Sequence, residues 1–195
     1  MTVLMKSAFA CVALIALPAF AQDANGCPEG SYSLVLAPDG TTLSILFDKF
    51  TIASSPGSGV ALQRKSCRIS APLILPANRS IGVYKVDYRG FAKLAPRQET
   101  ELDVKYFLGP HNNPHGRVFK RKIKGAHEGD YFFTETIGAG QMKRVGCGDA
   151  ARLNVAITLS LAGDREAGEA MASLDTSDAS KGAAMVYHLD LKDCP

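Results

Sequence analysis

The sequence predicts an all-β fold: an antiparallel β-sandwich, jelly-roll-like, with about nine or ten strands and two disulfides. Three observations predict it. Apolar residues recur at every second position in nearly every hydrophobic segment, the pattern of strands with one buried face, and no segment holds a helical period. Clusters of Gly, Pro, Asn, Asp and Ser cut these segments into short pieces at regular intervals. Of five cysteines, Cys11 lies in an N-terminal leader and four remain beyond it. A closed barrel is the alternative architecture.

The leader comes first along the chain. Lys6 is its only charge, the apolar run Ala8 to Leu17 follows, Pro18 breaks it, and Ala19-Phe20-Ala21 supplies the small residues of a cleavage site. This is the order of a secretory signal peptide, residues 1–21. About ten apolar residues are too few to span a bilayer, which takes roughly twenty. Cys11 lacks a second small-residue site behind it, which disfavours a lipoprotein anchor. Residues 22–195 are then expected to form a single β-sandwich domain, secreted or periplasmic, with no membrane span once the signal is removed.

In an oxidising compartment Cys27, Cys67, Cys147 and Cys194 read as disulfide partners. A zinc site would want close pairs, and these residues stand about forty or more apart. We expect Cys27–Cys67 and Cys147–Cys194. The first follows if the first three strands meander within one sheet. The second follows if the Leu153 strand and the Tyr187 strand are antiparallel neighbours.

The strands justify themselves in turn. Tyr32–Leu36 and Thr42–Phe50 flank Pro38-Asp39-Gly40, a hairpin signal. Ser54 to Gly59 is a loop, and Leu75-Pro76-Ala77-Asn78-Arg79 ends the strand that starts near Cys67. Leu102, Val104, Tyr106 and Leu108 alternate, as do Leu153, Val155, Ile157, Leu159 and Leu161. Met185, Tyr187, Leu189 and Leu191 close the series. Gly109 to Gly116 is a polar connection, and residues 163–171 offer one helical turn weakened by two glycines.

Several phrases then form a recognisable set. They are Gly26-Cys27-Pro28-Glu29-Gly30, Pro38-Asp39-Gly40-Thr41 before Leu43, Phe47 and Phe50, Arg64-Lys65-Ser66-Cys67, and Asp87-Tyr88-Arg89-Gly90. Further on come Gly129-Asp130-Tyr131, Phe133-Thr134-Glu135-Thr136-Ile137, Cys147-Gly148, and Tyr187-His188-Leu189 ahead of Cys194. In these the chain resembles a family of secreted bacterial and fungal proteins designated domain of unknown function 4360. The loop at 109–116 and the basic run after it depart from that pattern. The resemblance implies export, paired cysteines and a β-rich fold. It implies no chemistry.

Candidate sites are therefore weighed on their residues. Asp87 and Arg89, two apart on a strand, project from one face and suit a sugar or a carboxylate; a local ion pair beside a glycine bulge is the alternative. His111, His115 and His127, with Glu128 and Asp130, invite a metal, against a solvated loop. His188 reads as a surface or edge histidine. Lys120, Arg121 and Lys122, within a run from Arg117 to Lys124, suit a polyanion or else guard an edge strand against aggregation. Asp175 and Asp178 read as a turn. Asn78-Arg79-Ser80 is a glycosylation sequon, relevant in a eukaryotic host.

No G-x-S-x-G or other nucleophile motif is present, so no catalytic residue, cofactor or metal is assigned. A formal charge of +3 is too small to demand nucleic acid. The function expected is a non-enzymatic binding or surface-interaction domain for carbohydrate or anionic polymer. Alternatives are a polysaccharide-active enzyme, which needs two opposed carboxylates in a cleft, or a structural or host-interaction factor. The exported protein should begin at Gln22. Intact-mass measurement checks this, and retention of Met1 or Lys6 on the exported protein excludes it.

Overall fold

Alternation along each strand decides which side chains are buried, and two sheets assemble face to face around them. The computed structural model describes residues 26–57, 62–109, 116–174 and 184–195. Among them run twelve strands: β1 Tyr32–Leu36, β2 Thr42–Phe47, β3 Thr51–Ser54, β4 Leu62–Leu73, β5 Arg79–Leu94 and β6 Gln98–Leu108, then β7 Arg117–Lys124, β8 His127–Thr136, β9 Arg144–Gly146, β10 Ala151–Gly163, β11 Ala170–Ser173 and β12 Met185–Asp193. The count exceeds the nine or ten expected because β3, β9 and β11 are only three or four residues long, too short to show a period. The one helical turn expected within 163–171 is a 3-10 turn, Arg165–Ala167, and β11 begins just after it. The expected signal segment 1–21, His111, His115, Asp175 and Asp178 lie outside the described residues.

The smaller sheet has the order β4-β10-β6-β7 and the larger runs β1-β2-β12-β5-β11-β3, with β8 and β9 on the other edge of β5. All recorded pairings are antiparallel. The odd-numbered residues Leu153 to Leu161 of β10 are buried, as the alternation predicts, against Met185, Tyr187 and Leu189 of β12 and Ile45 of β2 within one continuous core. Truncating such a side chain, Leu159 for example, costs about 2–5 kcal/mol. The predicted hairpin forms between β1 and β2. Gly40, at a φ of 70°, donates its amide to the Ala37 carbonyl, and the Asp39 carboxylate accepts from the Thr41 amide. An L side chain rarely adopts that φ, which is why glycine closes this turn.

Both expected disulfides are present, with Cα separations of 5.2 Å for Cys27–Cys67 and 5.7 Å for Cys147–Cys194. The strand arrangements that suggested them are corrected. Cys67 is inside β4, in the opposite sheet from the β1–β2 hairpin, so that bridge fastens the segment ahead of β1 to the smaller sheet. The Gly26 amide donates to the Ser66 carbonyl beside it. Likewise β10 and β12 are in different sheets. Cys147 instead follows β9 and Cys194 follows β12, the two strands that flank the start of β5.

The sixteen residues of β5 carry one irregularity. Opposite β12 the register slips between His188 and Leu189, whose partners are Lys85 and Val83, leaving Tyr84 as an extra residue. This bulge lets Val83 and Val86, three apart, both face the core and turns Tyr84 outward. Further along, Gly90 is required by contact and not by φ. A Cβ there would lie 2.1 Å from the Ser173 carbonyl oxygen and 2.3 Å from the Tyr131 ring and hydroxyl. Gly90→Ala should therefore lower stability by about 1–3 kcal/mol, the cost of overpacking a fixed site. A shift of the urea midpoint at constant slope measures it.

Candidate functional site

The two outer faces of the sandwich carry different polar chemistry. On the larger sheet, Asp87 of β5 projects outward between β8 and β12, its side chain only 11% exposed. The Thr134 hydroxyl donates to Oδ1 at 2.7 Å, while Lys85 Nζ and His188 Nε2 approach Oδ2 at 3.1 and 2.8 Å. Desolvation works to raise the Asp87 pKa, but Thr134, His188 and Lys85 together outweigh it and hold the carboxyl below its ordinary value. Lys85 reaches this cluster because it lies two residues from Asp87 on the same face of β5. His188 is thus a partner of Asp87, where the sequence suggested an ordinary edge residue. Arg89 lies over the exposed Phe132 ring, 5.2 Å from its centroid.

Lys120, Arg121 and Lys122 occupy β7, the edge strand of the smaller sheet. The neighbouring β6 places Glu99, Glu101 and Asp103 on the same outward face. Lys120 sits 2.7 Å from Asp103, and Lys122 sits 2.7 Å from Glu99 and 3.6 Å from Glu101. Donating hydrogen bonds to Asp103 and to Glu99 raises the pKa values of Lys120 and Lys122 respectively. Arg121 turns to the Phe119 ring, at 4.7 Å. The structure therefore splits the sequence-derived candidates between two sheets. Asp87 and Arg89 are on one, and the basic triplet is on the other.

Further along the outer face of the smaller sheet the carboxylates stop. After Arg152, the outward residues of β10 are small or short (Asn154, Ala156, Thr158, Ser160), and Asn154 and Ala156 form the floor of a groove of about 550 Å³. Arg68 of β4 and Lys105 of β6 flank Ala156, since both pair with it in register. Phe107 and Val118 add apolar surface, Ser70 and Asn154 add polar groups, and among the described residues no carboxylate lines the groove. Arg152 stands at its end on the same face, with one guanidinium nitrogen 3.1 Å from the Ser70 hydroxyl. None of these residues was singled out from the sequence. The signal available was the small even-numbered set of β10, but its significance depends on which strands pair with it.

A second polar group, also missed, is inside the sandwich. Glu135 of β8 accepts from Arg117 Nε at 3.0 Å, Tyr106 at 3.1 Å and Tyr88 at 3.3 Å. Burial pushes all these phenols, and Tyr187, well above the ordinary tyrosine pKa. Among the described residues, Glu128 and Glu169 line one shallow depression together with His127. Both carboxylates are exposed, and Glu169 lies 4.0 Å from Lys93. The desolvation that a glycosidase acid uses is missing there. The His127 ring nitrogen Nε2 lies 3.3 Å from the Gly129 carbonyl oxygen.

Fold and cysteine framework together define a disulfide-stapled β-sandwich. The chain belongs to the family named domain of unknown function 4360, whose model matches residues 20–194. A relative from Arthroderma benhamiae, named an uncharacterized secreted protein, is 33% identical over 86 residues, 44% of this chain and 35% of that protein. The match thus spans about a third of the relative's length. A chain of the prawn Macrobrachium rosenbergii extra small virus particle overlays 70% of this chain and 84% of its own at 11% identity and a TM-score of 0.22. That score is too low to bear on fold or function. Among the described residues no helix is long and apolar enough to cross a membrane.

The Asp87 cluster has a pH signature. Because the folded pKa is depressed, its contribution to stability is complete above the unfolded carboxyl value of about 4 and is lost as pH falls further through the folded value. Asp87→Asn should lower stability at pH 7 and flatten the acid limb below about pH 4 relative to wild type. Urea titrations at a series of pH values check both.

Proposed function

We propose that this chain is an exported, non-enzymatic binding domain that holds anionic polysaccharide along the outer face of its smaller sheet. The observation that carries this reading is the groove over β10. Its floor of small side chains admits an extended polymer, Arg68, Lys105 and Arg152 give it one sign of charge, and among the described residues no carboxylate lines it. Ser70, which donates to Asn154 at 2.7 Å, adds a polar surface, and Phe107 supplies an apolar surface for a sugar ring. The name of the Arthroderma relative supports export.

The basic triplet of β7 has a lesser part in this proposal, because its lysines are already engaged by Glu99, Glu101 and Asp103. Exposed charges contribute about 0.2–1 kcal/mol each, so removing three that act together should matter clearly. Wild-type protein should be retained on heparin and on dextran sulfate, but not on uncharged dextran. The triple variant Arg68→Ser, Lys105→Ser, Arg152→Ser should elute at markedly lower salt, since screening acts on those contacts. Lys120→Ser with Lys122→Ser should change elution little. The opposite ranking would move the site to β7, and equal retention on uncharged dextran would remove the electrostatic basis.

A further inference from the structure

The sandwich also opens at one edge, between the facing strands β5 and β6, into a pocket of about 150 Å³ that the groove does not include. Its wall is apolar: Val83, Tyr106, Leu108, Ile137 and Met142. Met142 follows the short 3-10 turn Ala139–Gln141 and lies directly on Gly82, where a Cβ would come 2.8 Å from its sulfur. That close approach holds Met142 as one side of the pocket. The rim is polar and carries Arg117, Gln141 and Lys143, again with no carboxylate among the described residues.

These features specify a ligand. A volume near 150 Å³ admits a benzene-sized group. An apolar pocket with a few convergent polar groups is the usual form of a small-molecule site. Arg117 is already held by Glu135, at 3.0 Å, and Glu135 in turn accepts from Tyr106 and Tyr88, so the interior charge is balanced without a ligand. Lys143 and Gln141, both exposed, are left to meet the head of an incoming molecule. We infer that this pocket binds a small amphipathic anion, with one ring or a branched alkyl group against Val83, Ile137 and Met142 and its carboxylate at Lys143. An organic cation is disfavoured by Lys143. A neutral molecule of the same shape forgoes the contact with Lys143.

The test uses residues 22–195 with methionine methyl groups labelled for NMR. Met142, Met171 and Met185 are the methionines beyond the leader, and Met142 alone lines the pocket. Benzoate should shift the Met142 methyl signal saturably and leave Met171 and Met185 in place. Benzyl alcohol, matched in size but uncharged, should bind more weakly. Lys143→Gln changes an exposed side chain and should weaken benzoate about fivefold while leaving benzyl alcohol unaffected. The inference is overturned if no saturable shift appears or if all three methyls move alike. It is equally overturned if benzyl alcohol matches benzoate on wild type, or if Lys143→Gln binds benzoate as tightly as wild type.

Discussion

Four strands depend on β5. One edge of it pairs with β12 over Arg79–Tyr88 and with β11 over Phe91–Lys93; the other pairs with β9 over Ser80–Gly82 and with β8 over Lys85–Leu94. A single sixteen-residue strand thus sets the register of most of the larger sheet. Side chains alternate faces, so a one-residue slip anywhere on β5 would turn its buried set outward. The structure ties down the start of β5 covalently. The Cys147 amide donates to the Arg79 carbonyl, the Cys194 amide donates to the Asn78 carbonyl, and the two cysteines are bonded to each other. The bridge spans the first residues of β5 and joins the strands on either side of it. Closing a loop of 47 residues is worth about 4 kcal/mol on chain-entropy estimates before any strain is subtracted.

The smaller sheet solves a different problem, an exposed edge. A strand with free amides and carbonyls invites pairing with another chain, and charge is the usual protection. Here β7 supplies the lysines and β6 supplies their counter-charges at every second residue from Glu99 to Asp103. The alternation of sign stops at Lys105. Beyond that point the same face presents Lys105, Arg68 and Arg152 over a floor of small side chains. One end of the sheet is therefore close to neutral and the other is cationic, although the positive residues look continuous when counted along β7 alone.

How much of this was legible depends on whether the information is local. Leu153 to Leu161 and the Asp39-Gly40 turn are local patterns, and each gave its element correctly. The disulfide partners were also right, but through neighbours that do not exist: Cys147 meets Cys194 across β5, not between β10 and β12. Strand order is set by contacts far apart in the chain, and alternation within a strand carries no mark of its partner. For the same reason Asp87 could be singled out while its partners on other strands, His188 and Thr134, could not. The bulge at Tyr84 was hidden because Val83, Tyr84, Lys85 and Val86 break the period by only one residue. Glu135 sits in an ordinary alternating strand, and nothing in that pattern shows whether its inward side meets solvent or tyrosines.

Between β5 and β8 those hidden polar groups have a common effect. Asp87 pairs in register with Thr134, and the adjacent Val86 pairs with Glu135. Consecutive residues thus send polar side chains to opposite faces of the same two strands. Outside, the Thr134 hydroxyl donates to Asp87; inside, the Tyr88 hydroxyl donates to Glu135, which also accepts from Tyr106 and Arg117 of the smaller sheet. Apolar packing alone tolerates sliding, since one aliphatic side chain replaces another at little cost. Directional bonds on both faces do not. Slipping β8 by one residue would expose the partners of Glu135 and carry Thr134 into the core, leaving buried polar groups unmade at about 1–3 kcal/mol each, more for those that are charged. A buried ion pair such as Glu135–Arg117 is weak evidence for stability in itself, because hydrophobic replacements of similar shape often do as well. Its contribution here is positional: it fixes the distance and register between the sheets at the edge where Tyr106 and Arg117 also line the small pocket.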